Sequence, residues 1–184
     1  MTRMPSHDGI VDKYGGMAYV ELLRDCYKDE LWGARLFELV SERRRMAARE
    51  QAVLRVLATL EKSMQGHLAF VLRRHGQDWR ESDLAAQADA IARGIADECG
   101  DLPWHRFNAR FEAGIDPYLQ KYERLRSKAP EQDRAIMDLF VDHEKALRML
   151  AVAEQRVDSE MSLAAVWRVL DRSQAMARAM GQRD

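Results

Sequence analysis

Four glutamates stand where a helical sequence ordinarily places carbon. Glu61 falls in the series Leu54, Leu57, Glu61, Met64, Leu68, and Glu144 in the series Met137, Phe140, Glu144, Leu147, Ala151. Both series keep the three-and-four spacing of a core-facing stripe. Glu30 occupies the seam Leu23, Cys26, Glu30, Gly33, Phe37, and Glu112 borders the seam Phe111, Ile115, Leu119, Tyr122. Glu30 precedes Glu61 by 31 positions and Glu112 precedes Glu144 by 32, so the two halves of the chain repeat one arrangement. Carboxylates on a buried stripe are costly unless paired, and four that converge repel one another. The chemistry this pattern allows is therefore cation binding, proton sharing, or pairing with buried Arg or Lys. His143 precedes Glu144 directly and lies roughly 100° round the helix from it, which suits a residue that orients a ligand better than a ligand.

The elements that must position these residues are helices. Ten Gly and 4 Pro in 184 residues leave few breaks, and Ala, Leu, Arg, Glu and Met abound. The pattern predicts a leader over 1–16, a first helix from Met17 to about Ala47, and a second running to the stop at His75-Gly76. The polar stretch from Gln77 to Asp101 holds one shorter helix, with Asp83 as cap and Gly94 as a weak point. Asp101 is the expected N-cap of the third long helix, with Pro103 in its first turn and Pro117 bending it. Ala129-Pro130 opens the fourth, and a last helix spans about Ser159 to Met180. Two tight hairpins joined by a long crossover are one way to wire a four-helix bundle. The expected domain covers 17–156, with 157–184 packed on it as a C-terminal helix.

Composition excludes several classes of function. Lys+Arg (29) and Asp+Glu (30) leave a net charge of -1, which argues against a nucleic-acid or acidic-membrane binder. The run Arg43-Arg44-Arg45 with Arg49 is more simply positive charge at a helix C-terminus. Trp32, Trp104 and Trp167 read as packing residues. Cys26 and Cys99 lack metal or redox spacing, no apolar run is long enough to span a membrane, and Met1–Gly9 has no signal-peptide core. The expected location is cytoplasmic. No nucleophile elbow, phosphate loop or dinucleotide fingerprint is present.

With these carboxylates, this helix order and the long crossover, the chain from Met17 to Arg156 resembles the ferritin-like superfamily. Its di-iron and di-manganese members take one Glu from each of two helices and a Glu-x-x-His from each of the other two. By that resemblance the fold is an all-α, ferritin-like four-helix bundle with an extra C-terminal helix. Glu30 and Glu112 match the single-Glu helices, and Glu61 and Glu144 match the Glu of the two motifs. The resemblance implies two iron or manganese ions and oxidoreductase chemistry with dioxygen or peroxide. The sequence departs from the family at the motif histidines, where Met64 and Leu147 stand. His67 is six residues past Glu61, ~9 Å along the axis, too far to substitute directly. The alternative reading is a metal-free relative whose bundle serves binding or assembly, as a homodimer packed through the C-terminal helix.

Overall fold

The apolar seams become buried helix faces. In the computed structural model, which describes residues 17–43, 46–77, 81–156 and 162–181, the chain is all-α. Helix α1 covers Tyr19–Arg43, α2 Ala48–Arg74, α3 Glu81–Cys99, α4 Trp104–Lys128, α5 Arg134–Glu154 and α6 Ala164–Gly181, with a 3₁₀ turn at Glu131–Asp133 before α5. No described helix is long and apolar enough to cross a membrane. The expected leader over 1–16 lies outside the described residues, as does the expected start of the last helix at Ser159.

Several boundaries differ from the sequence reading, each for a local reason. Asp101 does not cap α4. It sits in the preceding turn, and Pro103, at φ -52 and ψ 144, occupies the cap position. Gly94 does not interrupt α3, because one glycine costs a helix only about 1 kcal/mol. Asp83 lies inside the first turn of α3 rather than ahead of it. Gly76 does end the α2 segment, with φ 68, a conformation that favours glycine. Trp167 is 49% exposed rather than packed.

The helices associate as pairs. α1 packs mainly on α2 and α3, α4 on α5, and α6 on α5 and α2, while α1 and α4 touch sparsely. One apolar core joins them, centred on Leu23, Leu57, Leu68, Tyr122, Phe140 and Leu150.

Two buried carboxylates brace the ends of α2. At one end Glu154 accepts hydrogen bonds from both Arg49 guanidinium nitrogens (2.7 and 2.6 Å) and from Trp104 Nε1 (2.8 Å), joining α2, α4 and α5. At the other end Asp133 accepts from Tyr19 Oη (2.9 Å) and His75 Nε2 (2.7 Å) and pairs with Arg74, joining α1, α2 and the start of α5. Burial pushes the Glu154 carboxyl up, but its hydrogen bonds from Arg49, Ser162 and Trp104 outweigh that and hold it below its usual 4.5. Its contribution to stability is therefore present above about pH 4.5 and lost as the pH falls further. Glu154→Ala is expected to cost ~2–3 kcal/mol in urea melts at neutral pH, for charged hydrogen bonds lost. The gap from the parent should shrink as the pH drops below that range.

Candidate metal centre

Midway along the molecule, four helices bring polar side chains to one point. α1 supplies Glu30, α2 Glu61, α4 Tyr122, and α5 both His143 and Glu144. All five are buried, with Glu30 at 1% exposure and Glu61 and Glu144 at 5% each. Helix α5 delivers two adjacent residues, and His143 lies near both Glu61 and Glu30.

His143 is at the centre. Its Nε2 is 3.3 Å from Glu61 Oε1, and its Nδ1 is 3.9 Å from both Glu30 Oε1 and Glu144 Oε1. Neither ring nitrogen makes a hydrogen bond among the described residues, and neither does Glu30 Oε2. Buried polar atoms in native proteins are almost always satisfied, so three orphans in one cluster call for a missing partner. Donor atoms of Glu30, His143 and Glu144 lie within 4.8 Å of one another, close enough to share an ion. His143 thus sits among the candidate ligands themselves. The sequence reading placed it as an orienting neighbour of Glu144, because adjacent helical residues diverge by about 100°.

Glu112 does not join this group. It is half-buried and accepts a hydrogen bond from Gln155 Nε2 at 2.7 Å, near the far end of α5. The equal spacing of the two halves misleads here because the hairpins turn differently. Glu30 and Glu61 each lie 13 residues from their hairpin ends at Arg43 and Ala48, whereas Glu144 lies 10 from Arg134. Ten residues back from Lys128 is Tyr118, which leaves Glu112 six residues, ~9 Å, beyond the level of the cluster. The α4 residue that reaches Glu30 is Tyr122, whose hydroxyl donates to Glu30 Oε1. His67, the other histidine near Glu61, turns toward α6, where its Nε2 is hydrogen-bonded to Ser173 Oγ at 2.7 Å.

Two further features support the cluster and were not singled out in the sequence. Lys121, 2% exposed, pairs with Asp25 and Asp29 and ties α4 to α1 beside Glu30. Its signal was the Asp25–Asp29 spacing of one helical turn, legible only with its partner helix known. Gly33 lets Glu61 lie against α1, since a Cβ there would fall 2.9 Å from Glu61 Oε2.

Burial dominates the electrostatics. It raises Glu30 well above the ordinary carboxyl range, with repulsion from Glu61 adding to it and His143 and Tyr122 opposing. Burial likewise raises Glu144 well above that range, against the attraction of His143. The Glu61 carboxyl is pushed up to about 7 by burial, and its hydrogen bond with Glu30 pulls the other way. Asp29 and Asp25 share Lys121 yet move oppositely. Burial wins for Asp29, while for Asp25 the Lys121 and Lys28 contacts overcome burial and bring it to about 2.

The cluster can thus be neutralised by protons or by a cation. Comparison of the chain with protein-family models, curated proteins and solved structures finds no match.

Without added metal, the raised Glu61 carboxyl favours the protonated folded chain. Its stabilising contribution is complete below about pH 4.5 and lost as the pH rises through about 7. The melting temperature of the metal-free protein should therefore fall across that window by several degrees more than that of Glu61→Gln. Parallel melting curves for parent and variant would reject this assignment if they do not diverge as the pH rises.

Proposed function

We propose that the chain is a ferritin-like four-helix-bundle metalloprotein. In this reading Glu30, His143 and Glu144, with Glu61 alongside, hold iron or manganese for oxidoreductase chemistry with dioxygen or peroxide. The observation that carries it is the His143 ring, buried among three carboxylates with both nitrogens unsatisfied. Imidazole and carboxylate donors together suit these two metals. A bound ion would supply one-electron redox chemistry at the carboxylate cluster.

The surrounding residues support this role by what they hold and exclude. Tyr122 fixes one oxygen of Glu30, leaving the other free to ligate. Phe140 and Leu147 are buried beside the cluster and limit water. The donors gathered here suit one ion; the second ion of a ferritin-like pair would need Glu112, which is engaged by Gln155.

A second reading, a metal-free bundle serving binding or assembly, draws on a different observation. A Glu61 carboxyl that titrates near 7 can be neutralised by a proton alone. The exposed Trp167 of α6, at 49%, would then be the side through which a second copy packs into a homodimer.

Elemental analysis of protein purified without chelators or a polyhistidine tag separates the two. The first reading expects about one iron or manganese per chain, since liganding residues must give up protons to take the ion. Glu144→Ala should lose it and Glu112→Ala should keep it. Metal at one hundred times its dissociation constant should stabilise by ~2.7 kcal/mol, a rise in Tm of roughly 5–10 °C for a chain of this size. A wild-type chain that stays empty and gains no stability from either ion defeats the metal reading. Gly33→Ala should leave the fold intact, because the crowded atom is the tip of a flexible side chain, but weaken metal binding ~10–100-fold by shifting Glu61.

A further inference from the structure

The space beside the carboxylates has a shape that the metal reading does not explain. It runs along α4 from Phe107 to Tyr122 and along α1 from Asp29 to Phe37, with Ile95 and Cys99 of α3 at its far end. The stretch of α4 alone rises ~22 Å. The space between the walls totals about 690 Å³ including its open mouth, yet only about 70 Å³ is wide enough for a water to move freely. It is a long, thin slot in the sparse contact between α1 and α4.

Its charged groups, Asp29 among them, stand toward the ends. Glu30, Glu61 and Glu144 stand at one end, and Glu30 Oε2 there has no hydrogen-bond partner among the described residues. Toward the other end Arg110 lines the slot but is already paired with Glu98 at 3.1 Å. Between them the walls are carbon: Phe37, Phe111, Ile115 and Leu147. An anionic ligand would meet the carboxylates with the one lining cation, Arg110, already engaged, and so little free space disfavours a fused ring. A chain of methylenes in single file satisfies both limits and gains from burial along its whole length.

We propose that this slot binds an unbranched, uncharged alkyl chain, with its terminal carbon against the Glu30 and Glu144 end. Naming that chain the substrate rests on the metal reading above; the binding itself does not.

Calorimetric titration of the full chain with hexanol, decanol and hexadecanol tests it, with cyclohexanol and decanoate as comparisons. Affinity should rise about fourfold per methylene from hexanol to decanol, level off once the chain outgrows the slot, and exceed that for cyclohexanol and decanoate. Gly114→Leu, which adds bulk to the α4 wall of the slot, should weaken decanol binding about tenfold or more. Its metal content and Tm should match the parent. Metal-stripped wild type should still bind decanol. Binding without dependence on length, equal binding of cyclohexanol, or indifference to Gly114→Leu overturns the proposal. Protein that binds decanol but takes up neither iron nor manganese keeps the slot and removes the metal reading. Protein that takes up metal and ignores the alcohols removes the slot alone.

Discussion

A carboxylate removed from water must find a proton, a cation or a set of hydrogen-bond donors, and this requirement organises the molecule at three levels. At one end of α2, Glu154 is met by Arg49 and Trp104, and at the other Asp133 is met by Tyr19, His75 and Arg74. Beside the middle, Asp25 and Asp29 are met by Lys121. Among the described residues, only the central group, Glu30, Glu61 and Glu144, faces one another and a histidine whose nitrogens are unsatisfied. The protein satisfies its other buried acids from within. That contrast makes the centre a candidate site and not simply another ion-pair network.

The helices and the three central acids were legible in the sequence because both depend on period alone. Glu30, Glu61 and Glu144 interrupt apolar stripes at core positions, and a stripe buries whatever lies on it. What periodicity cannot provide is the axial level at which residues of different helices meet. Glu112 shares the spacing of its counterpart and misses the cluster because the α4–α5 hairpin turns through a 3₁₀ segment. Tyr122 lay on a recognised seam but read as packing, since a hydroxyl and a ring occupy the same position in a pattern. Lys121 and the two aspartates were invisible for a related reason: each is unremarkable on its own helix, and only docking makes them a trio.

The carboxylate cluster and the slot depend on each other. Gly33 permits Glu61 to approach α1, and the same helix forms one wall of the slot. Tyr122 anchors Glu30 from α4 while its ring stacks on Phe140 of α5 at 5.1 Å between centroids, so the reactive end is fixed to the α4–α5 pair. The apolar walls keep water from competing with these contacts, and the same dryness raises the carboxyls.

The thin contact between α1 and α4 has a mechanical consequence. Each helix keeps its own backbone hydrogen bonds, so parting these two breaks none of them, but it must break the Lys121 ion pairs with Asp25 and Asp29 and the Tyr122–Glu30 hydrogen bond. The salt-bridged braces at either end hold the hairpins together, while the waist between them is held by Lys121 with Asp25 and Asp29, by Tyr122 with Glu30, and by aromatic edges such as Trp32 against Tyr118 and Phe37 against Phe111. Opening this seam and taking apart the carboxylate cluster are therefore one event, because the contact that closes the seam is also the one that holds Glu30 in place.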